Sequence, residues 1–285
     1  MLAFDDNRLT LPDGGERTRC QTAGETISMR KAPDPGATQI SQVLFGETVI
    51  VHHREGDFAL VQNQTDRYVG WVATSTFAEP VLTPTHRILA PRVHAYSEPS
   101  VFAAATLVLG RGALLTATGE RDGDYLEFER AGWIAAHLAA PISTCDIDPA
   151  SIAEEFLHTP YLWGGRDGFG LDCSGLVQIA FGACGIICPR DSDMQMHWLG
   201  EEVPDWTKPA NRRRGDLIFW KGHVGILLDA ETLLHANGTF MTTLREPLAP
   251  AIERIAKEYG EPLEVRRIDV SKAAGRVPAW LTAEG

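Results

Sequence analysis

The sequence predicts an α+β domain preceded by two small all-β barrels. Two observations carry this. A set of short strand-like runs with glycine turns occurs twice in the first half of the chain. In the second half, one helical stretch precedes several apolar strand-like runs, and a helix packed on an antiparallel sheet is an α+β layering. The expected organisation is an arm at 1–20, a first barrel at 21–82, a second at 83–142 and the α+β domain at 143–285.

The barrels rest on internal similarity. "GETVIVHH", "EGDFALVQ" and "RYVGWVAT" follow one another within 27–77. "GALLTATG", "DGDYLEFE" and "RAGWIAAH" repeat the order within 93–138. Gly56-Asp57-Phe58 answers to Gly123-Asp124-Tyr125, and Gly70-Trp71-Val72 to Gly132-Trp133-Ile134. Short alternating strands with glycine turns suit small barrels, and the repetition favours two copies over one sandwich. Trp71 and Trp133 are expected in the barrel cores. The second copy has no tyrosine at the position of Tyr68.

"LAAPISTCDIDPAS" reads as a linker running into a helix near Ser151 to Leu157, capped by Asp148 or Ser151. From Cys173 to Ala183 the apolar positions Leu176, Val177, Ile179, Ala180 and Ala183 have helical spacing. "GDLIFW", "HVGILLD" and "TLLHANG" read as strands, "AIERIAKEYG" as a late helix and "LEVRRIDV" as a last strand.

Composition narrows the function. Hydrophobic residues are 44% and charged residues 22%, as in ordinary globular protein. A net charge of -12 argues against non-specific binding to nucleic acid or an anionic membrane. No window reaches the roughly 18 apolar residues of a membrane span. "MLAFDDNRLTLPDGG" lacks the basic and apolar segments of an export signal, so a cytoplasmic protein is expected. Five cysteines, at 20, 145, 173, 184 and 188, cannot all pair within the chain.

Cys173 opens the predicted helix, where unpaired N–H groups and the helix dipole favour a thiolate. Gly170 and Gly175 leave room around it. Cys184 and Cys188 have the wrong spacing for a zinc knuckle with Cys173 and read as packing residues. A thiol nucleophile needs a base, and the base an orienting group. His223 begins one apolar strand and His235 ends the next. Adjacent strands would set the two rings side by side, with His223 toward Cys173 and His235 fixing its tautomer. His223 alternates with Val224 and projects from the opposite face. The other histidines, at 52, 53, 86, 94, 137, 158 and 197, read as structural or surface groups.

Five segments together resemble the NlpC-type cysteine peptidases, which have a papain-like fold: "YLWGG", "LDCSGLV", "RGDLIFW", "HVGILL" and "LLHANG". "YVGWV" and "AGWIA" resemble bacterial SH3-like domains. With both present, the chain is similar to bacterial γ-D-glutamyl-L-diamino-acid endopeptidases. The resemblance implies Cys173 as nucleophile, His223 as base, His235 as third polar residue and Tyr161 on the oxyanion side. It implies that Asp172 and Ser174 hold the terminal amine of a murein peptide, L-Ala-γ-D-Glu-diamino acid, with Tyr68 from the first barrel. An acidic partner from that barrel is implied too, with Asp34, Glu47 and Asp66 as candidates. The expected enzyme is a monomer that needs no metal or organic cofactor and acts in cell-wall peptide recycling. An acid beside Cys173 disfavours its thiolate, and a substrate ammonium would offset it. The alternatives are a wall-binding protein with an inactive third domain, or an amidase or acyltransferase of the same fold.

Overall fold

The computed structural model describes residues 6–282. The chain divides into two compact units. Residues 6–144, with Asp167–Phe169, make one, and residues 145–166 with 170–282 make the other.

In the first unit, one sheet runs in the order Gln39–Leu44, Thr26–Arg30, Val69–Ala73, Phe58–Asn63, Thr48–Glu55, Thr18–Thr22 and Phe77–Ala78. The repeated Gly-Asp-aromatic step is a hairpin turn in both copies. Gly56 and Gly123 take φ of 56° and 53°, which glycine adopts without steric cost. The arm is not separate from the barrel. The Thr18–Thr22 strand crosses the expected boundary at residue 20, and Leu9 and Leu11 are buried. Residues 1–5 of the expected arm lie outside the described residues.

The second copy forms a five-stranded sheet, in the order Ala105–Gly110, Arg92–Tyr96, Gly132–Ala135, Tyr125–Phe128 and Ala117–Asp122. Leu114–Leu115, His86–Ile88 and Ala139–Pro141 make a smaller sheet. Trp71 and Trp133 are not core residues. Side chains alternate along a strand, and it is Val72 and Ile134 that point inward, both fully buried, leaving the tryptophans half-buried. Where the first copy has Tyr68 the second has Arg130, whose Nη1 donates to Gln21 Oε1 at 3.0 Å. Phe45 of the first copy enters the second copy's core beside Ile88, Leu109, Phe128 and Ile134.

The second unit is a six-stranded antiparallel sheet in the order Glu201–Glu202, Glu264–Arg267, Leu217–Trp220, His223–Leu227, Thr232–Asn237 and Thr242–Pro247. One face, with Phe219, Val224, Ile226 and Leu234, packs on Leu176, Val177, Ala180 and Phe181 of the Cys173–Ala183 helix. Cys184 and Cys188 fill the same core. The other face, with Ile218, Trp220, Leu227 and Leu233, packs on Leu248, Ala251 and Ile255 of the Leu248–Tyr259 helix. The sheet is therefore covered by helices on both faces, where a single covering helix was expected. Asp148 caps the Pro149–Glu154 helix through Ala150 N–H at 3.0 Å. The Ser192–Trp198 helix and the Thr242–Pro247 strand are among the elements that had no sequence expectation.

Phe45 joins the two repeats in one core, so Phe45→Ala should cost about 3–5 kcal/mol and weaken both together. Urea unfolding of the full chain, followed by hydrogen exchange in each repeat, checks this. Loss of protection in the first repeat alone would contradict it.

Candidate active site

The helix at Cys173 begins as expected. Asp172 is its cap, in an extended conformation, and accepts from Gly175 N–H at 2.7 Å. The carboxylate also accepts from Gly164 N–H at 2.9 Å and from the Ser174 hydroxyl at 3.2 Å. Arg190, 1% exposed, donates to both carboxylate oxygens at 3.0 and 2.5 Å, and its Nη1 donates to Ser174 Oγ at 2.8 Å. The acid beside the sulfur is thus paired within the fold. Gln195, fully buried, donates to Ser174 O at 3.0 Å and Pro189 O at 2.9 Å, and so fixes the segment that carries Arg190. Gly175 serves packing rather than the sulfur, because a Cβ there would lie 2.1 Å from Gly165 O.

The sheet opens where the sulfur enters. The His223–Leu227 and Thr232–Asn237 strands pair only at Ile226–Leu234 and Leu227–Leu233. Beyond that pairing, the backbone N–H groups of Val224 and Ser174 are near enough to the Cys173 sulfur to oppose the upward shift of its thiol. Cys173 therefore lies against the backbone next to His223. The two histidines share a face of the sheet, the one opposite Val224. His223 Nε2 is 2.7 Å from His235 Nδ1. A Cβ on Gly225 would meet Leu233 Cδ1 at 2.5 Å and His235 Cβ at 3.3 Å, so glycine is what lets these strands bring the rings together. Tyr161 is anchored beside the helix start by a backbone bridge to Leu171 and by its N–H to Met241 O at 3.0 Å.

These surroundings set the charges. Burial, reinforced by the Asp172 carboxylate, pushes the Cys173 thiol up to about 12, against the opposing pull of Val224 N–H, Arg190 and Ser174 N–H. Burial, then the neighbouring His235 and Arg254, pushes His223 down to about 3. The resting pair is a neutral thiol and a neutral imidazole. The thiolate expected from the helix start is overridden by desolvation. The His223 ring makes no hydrogen bond to Cys173 among the described residues; such contacts commonly tighten only in the complex. Burial, with the charges of Cys173 and Asp172, raises the Tyr161 phenol, which stays protonated and able to donate.

Tyr68 belongs to the barrel unit. It is 5% exposed, and its N–H donates to Asp66 Oδ1 at 3.0 Å. Glu47 serves its own barrel, accepting from Leu44 N–H at 2.8 Å and Asn63 Nδ2 at 3.0 Å. Asp34 accepts from Gly36 N–H at 2.7 Å in an exposed turn. Four residues at the site were not anticipated: Arg190, Gln195, Glu246 and Arg254. Glu246 Oε1 lies 2.8 Å from His235 Nε2 and is ion-paired with Arg254.

Residues 158–252 match the NlpC/P60 family model, and residues 29–77 match that of the bacterial dipeptidyl-peptidase SH3 domain. The chain carries an NlpC/P60 domain behind a bacterial SH3 domain, and the papain-like α+β reading stands. A γ-D-glutamyl-L-lysine dipeptidyl-peptidase of Bacillus subtilis is 29% identical over 231 residues, 70% of this chain and 72% of that one. Dipeptidyl-peptidase 6 of Lysinibacillus sphaericus is 24% identical over 233 residues, 72% of this chain and 82% of that one. The crystal structure of an NlpC/P60 family protein from Bacillus cereus has the same fold, with a TM-score of 0.74 at 22% identity over 88% of this chain and 99% of that one.

Because the resting thiol is neutral, its alkylation should keep accelerating past the ordinary thiol range of about 8.5. Iodoacetamide inactivation followed against pH tests this. A rate plateau well on the acid side of that range would instead show a preformed thiolate–imidazolium pair.

Proposed function

We propose that this chain is a cysteine endopeptidase that hydrolyses the γ-D-glutamyl–diamino acid bond of murein peptides with a free N-terminal L-alanine. The observation that carries the reading is Cys173 at a helix start, its thiol sensing the backbone N–H of Val224, the residue that follows His223 of the hydrogen-bonded pair His223–His235. The names of the two dipeptidyl-peptidase relatives support the substrate class.

The chemistry follows from the charges. His223, neutral at working pH, takes the thiol proton as the sulfur attacks the γ-glutamyl carbonyl. The backbone N–H of Cys173 and the Tyr161 hydroxyl stabilise the oxyanion, a type of contact for which one donor is worth roughly 3 kcal/mol. His223 then gives its proton to the departing amine, leaving a thioester on Cys173. Water, deprotonated by His223, attacks the thioester and releases the L-Ala-γ-D-Glu product and the free thiol. His235 accepts from His223 Nε2–H throughout.

The terminal ammonium is the proposed specificity element. Asp172 and Ser174 remain the proposed acceptors, but both also serve Arg190. A buried ammonium therefore needs further acceptors, and Tyr68 with an acid of the first barrel are the proposed ones. The reading includes a role in recycling soluble wall peptides in the cytoplasm. A net charge of -12 is compatible with that setting.

The test compares free and N-acetylated L-Ala-γ-D-Glu-diamino acid peptides by kcat/KM, with Cys173→Ala and Tyr68→Ala as variants. The free amine should be favoured by at least about tenfold, roughly 1.4 kcal/mol. Tyr68→Ala should shrink that preference, and Cys173→Ala should fold and show no turnover. Equal kcat/KM for the two peptides would remove the amine-recognition model. Cleavage by Cys173→Ala would remove the mechanism. Release of products other than L-Ala-γ-D-Glu and the diamino acid would favour an amidase or acyltransferase.

A further inference from the structure

The Cys173–His223–His235 reading leaves one matter open: what decides which nitrogen of each histidine carries its proton. A neutral imidazole has one donor and one acceptor nitrogen, and the partner of one fixes the other. For His223 to take the thiol proton on Nδ1, its Nε2 must carry hydrogen. His235 Nδ1, 2.7 Å away, must then be an acceptor, so His235 must carry its own hydrogen on Nε2.

Two groups face His235 Nε2. Glu246 Oε1 is at 2.8 Å and Asn237 Nδ2 at 3.2 Å. They ask for opposite tautomers: the carboxylate needs an N–H, while the amide nitrogen needs a lone pair. The orientation of Asn237 is fixed, since its Oδ1 accepts from Thr239 N–H at 2.6 Å and Phe240 N–H at 3.3 Å. The shorter contact is the charged one. Glu246 is two residues along from the residue paired with His235, Leu244, so the two are diagonal neighbours on one face of the sheet. Arg254, from the Leu248–Tyr259 helix, pairs with Glu246 and lies 4.9 Å from the centre of the Phe240 ring. Burial opposes ionisation of Glu246, but the hydrogen bond from His235 and the Arg254 charge hold it below the ordinary carboxylate range. Burial lowers His235 despite Glu246, so that ring is neutral. Among the described residues, the charged and titratable groups that face the histidine pair are Glu246 and Arg254, with the Tyr259 ring 6.2 Å from that of His223.

We propose that Glu246, held by Arg254, is a positioning residue that keeps the proton of His235 on Nε2 and so leaves the Nδ1 lone pair of His223 free to act as base. This rests on the Cys-His-His reading. The order runs outward in one direction: His223 Nε2–H donates to His235 Nδ1, and His235 Nε2–H donates to the Glu246 carboxylate. When His223 takes the thiol proton on Nδ1, neither His235 nor Glu246 changes protonation. The negative charge of Glu246 also favours the imidazolium that forms at His223. With an amide in place of the carboxylate, the opposite tautomer becomes allowed: His235 Nδ1–H then points at His223 Nε2, and the His223 hydrogen is displaced to Nδ1, where it blocks proton uptake.

The experiment combines nitrogen-15 NMR of the imidazole nitrogens with steady-state kinetics, on wild type, Glu246→Gln and Arg254→Met. In wild type, His235 should carry its proton on Nε2 and His223 on Nε2. In Glu246→Gln the His235 proton should shift toward Nδ1, with kcat reduced at least about tenfold because the wrong tautomer withholds the base, and KM nearly unchanged. Arg254→Met should lower kcat in the same direction by less. The wild-type spectrum alone tests the proposal if a variant fails to fold, since His235 protonated on Nδ1 would overturn it. A Glu246→Gln enzyme with wild-type kcat, or one with lower kcat and unchanged tautomers, would overturn it as well. If the chain were not a cysteine hydrolase, wild type would show no turnover to lose, while the spectrum would still report the tautomer.

Discussion

The pairing of Asp172 with Arg190 is the interaction on which the site depends. A carboxylate next to a reactive sulfur works against the sulfur's negative charge. Here the same carboxylate caps the cysteine helix, holds Gly164 and Ser174, and is neutralised by a buried guanidinium. One group therefore sets the helix start, the preceding loop and the local charge at once. Removing only one partner of a buried pair leaves an uncompensated charge worth about 3–5 kcal/mol. The glycines around it follow from the same crowding: Gly165 and Gly175 are required because backbone meets backbone there.

The second constraint is the opening in the sheet. Strand pairing gives way after Ile226–Leu234, and the Val224 N–H beyond it acts on the buried sulfur. This brings helix, thiol and histidine strand together without a long loop. It also buries the sulfur, which explains why desolvation outweighs the helix dipole. On the proposed mechanism, charge separation is confined to the reaction itself, where Tyr161 and backbone N–H groups are the proposed partners of the developing oxyanion.

Much of this was legible in the sequence, and the failures have physical causes. The Cys173–Ala183 helix was readable at both ends, because apolar spacing and an aspartate cap agree. His223 and His235 were readable from their places on apolar strands. The Thr242–Pro247 strand was not, since "TTLREP" is an edge strand with little apolar alternation. Glu246 was lost with it. Arg190 was hidden because its partner lies 18 residues away and arginine is seldom fully buried. The tryptophans of the repeats misled through size: each looks like a core residue, yet strand alternation gives the interior to its β-branched neighbour.

The most direct measurement is the identity of the group that Cys173 carries during turnover. Rapid acid quench of enzyme with L-Ala-γ-D-Glu-diamino acid peptide, followed by proteolytic mapping and mass spectrometry, reads it. The expected result is an L-Ala-γ-D-Glu acyl group on the fragment containing Cys173, absent from His223→Ala. Turnover with Cys173 never acylated, or with the acyl group on another residue, would contradict it.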